Sequence, residues 1–278
     1  MTFELMEFLS LPGDAAKANE DAFAHDAAAA VVLDGATPLG DGLMPGPSDA
    51  AWIAHFGARR LLAHLKDGEG ARRALRSALG DAQKSFEALR RMPPQEVWQT
   101  PCASMMLAVE AEGGVEFLWF GDCAALVKQG AAAVQVVGES FDKKAAEGAR
   151  AGALAKERGQ PATDRFQFLD ALRAGRNRIN SGDAWLFSPD PKAAAHVSRR
   201  VMKLAPGAHL LLASDGFLAL ATDYGAYSAD GLMAAVLSKG LAALGEELRG
   251  IEDGDAEGVR FPRFKKSDDS TALLLRLS

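Results

Sequence analysis

Apolar residues in this chain fall into short continuous runs, and several of the runs stop at an aspartate beside a glycine. Residues 210–213 (LLLA) lead into Ser214-Asp215-Gly216 and a further apolar stretch, FLAL, follows. Residues 27–33 (AAAAVVL) end at Asp34-Gly35, and residues 117–120 (FLWF) end at Gly121-Asp122. A run of four to eight apolar residues closed by a turn signal predicts a strand buried on both faces. Asp268-Asp269 precedes one more such run, residues 271–277. Residues 3–11 alternate loosely and predict a first strand closed by Pro12-Gly13. Residues 17–21 read as a polar turn, with Asn19-Glu20-Asp21 just ahead of the 27–33 strand.

Helical spacing takes over after the Pro- and Gly-rich loop at 37–47. Ser48 is a candidate N-cap with Asp49 in the first turn, and Trp52, Ile53, Phe56, Leu61, Leu62 and Leu65 recur at helical intervals. Gly68 and Gly70 break the chain before a second helix at 71–92, ended by Pro93-Pro94. The arginines of these helices read as a solvated face. Residues 103–109 and 115–120 predict a hairpin around Glu112-Gly113-Gly114, and 124–128 pairs with 131–137. Residues 141–179 are polar and predict two helices separated by Gly159-Gln160-Pro161. An apolar strand resumes at 185–187, and 199–204 with 210–213 reads as a hairpin turning at Ala205-Pro206-Gly207. One long amphipathic helix is expected at 229–248, then an acidic, Gly-rich loop at 251–258.

Composition narrows the class. The chain has 278 residues, 48% hydrophobic and 24% charged, which is ordinary for a globular protein with a sizeable core. A net charge of −6 without a basic stripe argues against nucleic acid as a partner. No apolar run approaches the length of a membrane span, and the N-terminal stretch carries glutamates where a secretory leader carries basic residues, so a cytoplasmic location is expected. Cys102 and Cys123 form no disulfide framework, and Cys123 reads as a small buried residue. The glycine fingerprints of nucleotide sites, a nucleophile elbow and paired metal-binding histidines are all missing.

The carboxylates carry the chemical signal. A single Asp-Gly pair marks a turn. Five acidic points in order, four of them against apolar strands, place hard oxygen ligands at converging strand ends, and a buried carboxylate needs a partner. Mg²⁺ or Mn²⁺ suits such ligands.

The ordered set of NED at 19–21, an apolar run then DG at 34–35, GD then a small residue at 121–123, ASDG at 213–216 and DDxT at 268–271 resembles the metal-dependent (type 2C) serine/threonine protein phosphatases. The likeness runs from Asn19 to Leu277. It implies an α+β fold: a four-layer α-β-β-α sandwich with two central, mainly antiparallel sheets. Sequential hairpins and segregated helix pairs agree with that better than βαβ units do. It implies one phosphatase domain over 1–278, with 141–179 as a helical flap beside the active site. It implies two Mn²⁺ or Mg²⁺ ions and a weaker third site. Asp34 would bridge two ions, and the Gly35 carbonyl and Glu20 would serve one of them. Asp215 and Asp268 would hold the other, and Asp122 would contribute with Asp215 to the third site. Asp21 would orient the attacking water, and Thr271 would support the last strand.

Two positions depart from the family pattern. Ala36 stands where many members have a histidine that protonates the leaving group. Ala16 stands where many have a phosphate-clamping arginine, with Lys17 next to it as a possible point-charge substitute. The implied substrate is a phosphorylated protein; the motifs name neither it nor its kinase. Two alternatives remain open at this stage: a catalytically weak phosphoprotein-binding regulatory module, and a small-metabolite phosphatase.

Overall fold

Along the central strands, alternate residues enter two different cores, which is why the runs are apolar throughout. The computed structural model describes residues 1–139, 141, 168–182 and 184–278. In chain order its elements are β1 (Phe3–Leu11), β2 (Asp21–His25), β3 (Ala29–Gly35), α1 (Asp49–Lys66), α2 (Ala71–Leu89), β4 (Ala103–Ala111), β5 (Gly114–Phe120), β6 (Ala124–Lys128) and β7 (Gln135–Val137). There follow α3 (Leu169–Arg176), β8 (Ser198–Lys203), β9 (His209–Ala213), α4 (Asp215–Thr222), α5 (Ala229–Lys239), α6 (Leu241–Gly254) and β10 (Ser270–Leu277).

The strands form two antiparallel sheets, β1-β10-β9-β6-β7 and β2-β3-β4-β5-β8. Ala30 and Val32 of β3, Met106 of β4, Leu210 and Leu212 of β9, and Leu273 and Leu275 of β10 pack together between the sheets. The residues between them point outward: Val31 and Leu33 meet Ile53, Leu61, Leu75 and Leu79 of α1 and α2. On the far side, Leu211, Ala213 and Leu274 meet Phe217, Leu232, Val236, Leu244 and Leu248 of α4, α5 and α6. The result is the expected four-layer α-β-β-α sandwich. Ser48 caps α1 as anticipated, its side chain accepting from Ala51 N.

Several expectations are corrected. The turn read at 17–21 runs into a strand at Asp21, and residues 22–25 of that strand, β2, carried no expectation; its alanines give little strand signal, and it forms because β3 offers a free edge. Residues 185–187 are not a strand. Phe187 makes one reciprocal bridge with Ala103, and the Asn180 side chain takes the Leu186 N–H that a neighbouring strand would otherwise bond.

β8 and β9 are not a hairpin. β8 pairs with β5 and β9 with β10 and β6, so residues 204–208 cross between the sheets. Leu204 and Ala208 are buried in the inter-sheet core, which holds that crossing in place. The long helix at 229–248 is two helices, broken at Gly240 (φ 84°, ψ 162°), and the Glu7 carboxylate accepts from Leu241 N at 2.7 Å. The region 251–258 is helical through Gly254, where Asp255 then binds the amides of Val259, Arg260 and Phe261.

The second strand of the 124–137 pair is confined to Gln135–Val137, and α2 stops at Leu89. Of the 141–179 segment, α3 and the turn after it are described; the two-helix expectation otherwise lies outside the described residues. No helix among the described residues is long and apolar enough to cross a membrane.

Candidate metal centre

The sheets deliver carboxylates to one end of the sandwich because each apolar run stops there. β2 and β3 are in register with Asp21 opposite Asp34, and Asp34 is also opposite Ser104 of β4. The next strand, β5, ends at Phe120, and Gly121 after it, with a φ of 68°, turns the chain so that Asp122 faces back. A Cβ at Gly121 would lie 2.2 Å from Ser104 Oγ, and that hydroxyl donates to Asp122 at 2.6 Å. From the other sheet, β9 ends at Ala213, and after Ser214, Asp215 begins α4. A Cβ at Gly216 would lie 2.0 Å from the Asp269 carbonyl, so glycine there lets α4 start against the entry to β10.

These geometries bring Asp34, Asp122 and Asp215 together: one ligand oxygen from each lies within 4.8 Å of the others. They line a cavity of about 280 Å³. Gly35, Ala36, Asp268, Arg176, Arg263 and Lys265 also line it. Asp268 is paired with Lys265 at 2.6 Å. Asp21 lies behind this group and is 1% exposed. Its Oδ2 accepts from Ser214 Oγ at 2.7 Å, and its Oδ1 has no hydrogen-bond partner.

Glu20 stands apart from the cavity wall. Its two oxygens accept from the hydroxyls of Thr37 and Ser48, each at 2.5 Å. Its backbone N–H and that of Gly13 are held by the Asp269 carboxylate at 2.6 and 2.7 Å. Lys17 sits on an exposed turn and reaches Asp14 at 3.5 Å; it is not among the described residues that line the cavity. Thr271 is buried on β10, and its hydroxyl meets Ser10 at 3.2 Å.

The electrostatics are those of a site built for cations. Burial pushes the Asp34 carboxyl well above the usual carboxylate range, and Asp215, Asp21, Asp268 and Asp122 add to it. Asp21 is raised too, by burial first and then by Asp268, Asp269 and Asp215, against the Ser214 bond that lowers it. Burial together with Asp34 and Asp122 raises the Cys123 thiol well above its usual value, so it remains a neutral packing group. Converging carboxylates with an orphaned buried oxygen are satisfied by hard divalent cations, and the all-oxygen donor set fits Mn²⁺ or Mg²⁺.

Sequence reasoning missed the residues that hold the ligands: Ser104, Ser214, Asp269, Thr37 and Ser48, together with Arg176. Asp269 had a local signal as the second half of the Asp268-Asp269 pair, Ser48 as a helix cap and Ser214 as part of the ASDG run, but none of these pointed to its role at the carboxylates. The others are ordinary polar residues until the sheets bring them to the carboxylates.

Comparison with known proteins bears on the family and the fold. A family model described as protein phosphatase 2C matches residues 14–248. No curated protein matches the sequence. Among solved structures, the Mycobacterium tuberculosis serine/threonine phosphatase PstP/Ppp superposes with a TM-score of 0.60 at 14% identity, covering 100% of both chains. The catalytic domain of PstP in complex with two manganese ions gives 0.55 at 14% identity, over 99% of this chain and 98% of that one. The Mycobacterium smegmatis phosphatase MsPP in complex with cacodylate gives 0.54 at 16% identity, over 99% of each.

Proposed function

The chain belongs to the protein phosphatase 2C family, and on that premise we propose how it acts as a metal-dependent serine/threonine protein phosphatase. The reaction is hydrolysis of phosphoserine and phosphothreonine in protein substrates, supported by two Mn²⁺ or Mg²⁺ ions. The observation that carries this reading is the convergence of Asp34, Asp122 and Asp215, with Asp268 on the same wall.

When bound, the cations acidify water near neutral pH and offset the negative charge of a phosphoryl group. Asp34 would be shared between two ions, because carboxylates from both sheets surround it. Asp215 and Asp268 would hold one ion and the Gly35 carbonyl the other, with Glu20 behind it. Asp122 would add a weaker third position with Asp215. Asp21 would accept a hydrogen bond from the attacking water on its orphaned Oδ1 while Ser214 fixes its other oxygen. The two manganese ions of PstP support the count.

The same reading treats 1–278 as one phosphatase domain carrying a flap at 141–179, in a cytoplasmic protein. The described part of that segment agrees with a place beside the site, since Leu172 and Arg176 line the cavity.

The test is hydrolysis of an aryl phosphate and of phosphoserine and phosphothreonine peptides, against a panel of phosphorylated metabolites, with and without Mn²⁺. Mn²⁺-dependent turnover of the peptides is expected, abolished by EDTA and reduced by orders of magnitude in Asp215→Asn. Turnover of metabolites alone would overturn the protein-phosphatase assignment. A protein that binds phosphopeptides without hydrolysing them would be a regulatory module.

A further inference from the structure

We propose that Arg176, at the end of α3, holds the substrate phosphate in this protein. The proposal rests on the phosphatase reading above and supplies what Ala16 and Lys17 do not. Three cationic side chains among the described residues line the carboxylate cavity: Arg176, Arg263 and Lys265.

Arg263 is already committed. Its Nε donates to Lys266 O at 2.8 Å, its Nη1 to the Asp255 carboxylate and Phe261 O at 2.9 Å each, and its Nη2 to Asp255 O at 2.6 Å. Lys265 is bound to Asp268. Arg176 differs from both. Its Nη1 donates to Thr37 O at 2.8 Å and to Ala36 O at 3.4 Å, and no carboxylate among the described residues pairs with it.

That arrangement fixes the guanidinium against the exit of β3, beside Asp34 and Gly35, and leaves Nε and Nη2 uncommitted. Nε and Nη2 form one edge of the planar fork, the edge that matches two oxygens of a tetrahedral anion. A lysine cannot reproduce such a bidentate contact. The cavity is otherwise rich in negative charge, so a phosphate monoester dianion entering it needs a positive partner besides the cations.

The clamp is also held ready. One turn earlier, Arg173 donates to Leu39 O at 2.7 and 3.1 Å and stacks over Trp98, 4.5 Å from the ring centroid. Just after Arg176, Asn177 accepts from Trp98 N at 2.9 Å and donates to Glu96 at 2.8 Å. With the backbone anchored on both sides, little ordering remains to be done when the anion binds.

The experiment measures inorganic phosphate binding to the Mn²⁺-loaded protein by calorimetry, and kcat and KM on an aryl phosphate, for wild type, Arg176→Lys and Arg176→Ala. The Mn²⁺ concentration giving half-maximal effect is the control for the Ala36–Thr37 tether. Losing a charge-assisted bidentate contact weakens binding by roughly 10–100-fold. Arg176→Ala should therefore raise the phosphate Kd and the KM by about that factor, with Arg176→Lys intermediate and the Mn²⁺ dependence unchanged.

Wild-type phosphate affinity in Arg176→Ala overturns the proposal. So does an equal loss of Mn²⁺ and phosphate affinity in both variants, which would make Arg176 a loop tether. A wild type that binds phosphate through Arg176 but hydrolyses no phosphate ester overturns the phosphatase reading and leaves the clamp standing.

Discussion

Asp34 is held where its charge is least favourable, and that has a measurable sign. Its folded pKa is raised above the ordinary value of 3.8, by burial and then by the surrounding carboxylates. A raised carboxylate contributes stability below its unfolded value, and that contribution is lost as pH rises through the folded value. Above the unfolded value of 3.8, the metal-free fold therefore carries Asp34 at a cost to its stability. Asp34→Asn should raise the chelator-treated Tm at pH 7 by a few degrees, each 1 kcal/mol being worth about 2–4 °C in a chain of this size. The gain should shrink as pH falls toward 3.8. The same variant should lose stabilisation by Mn²⁺; calorimetry with and without chelator checks both, and a lower chelated Tm in the variant would refute the account. Ala36 gives a second prediction at this scale. It lines the cavity with no group to protonate a serine leaving oxygen, and such help is typically worth about 10²–10⁴-fold. The protein should favour aryl phosphate over phosphoserine peptide, and Ala36→His should narrow the gap in kcat/KM. An unchanged ratio across several pH values would assign the acid elsewhere.

At the scale of elements, two glycines decide where helices begin. Gly240 adopts φ 84° and ψ 162°, a region in which other residues cost of order 1–3 kcal/mol. Gly240→Ala should lower stability by about that amount. Denaturant unfolding with an unchanged m-value checks it. Gly216 is different in kind, since the obstruction is backbone. A methyl 2.0 Å from the Asp269 carbonyl forces α4 away from the start of β10 and moves Asp215 relative to Asp268. Gly216→Ala should weaken Mn²⁺ activation by at least tenfold, even where circular dichroism shows the secondary structure retained. Retained Mn²⁺ activation would mean that the two segments move together.

For the whole molecule, cations would link the two sheets, because Asp34 and Asp122 come from one and Asp215 from the other. Mn²⁺ should raise the Tm in proportion to the logarithm of its concentration, by about 2.7 kcal/mol of stability at one hundred times its Kd. Its affinity should rise with pH as the raised carboxylates lose their protons. Titration calorimetry at pH 5.5, 6.5 and 7.5 would show proton release on binding, and a pH-independent affinity would contradict the raised values.

The sequence by itself determined the strands whose runs are apolar throughout, the capped start of α1, and the aspartates at the ends of β3, β5 and β9. These signals are local: a run buried on both faces is written as continuous hydrophobicity, and its end as Asp beside Gly. From the ordered motifs the family likeness, and with it the layered fold, was also legible. Only the tertiary structure decided that β8 and β9 part to different sheets, that β2 exists, and that the chain breaks at Gly240. It also decided which polar residues serve the carboxylates. Ser104, Ser214 and Arg176 acquire their partners from segments 18, 193 and 139 residues away. No local pattern encodes such a meeting, because it follows from sheet register and close backbone approach rather than from the identity of the residue itself.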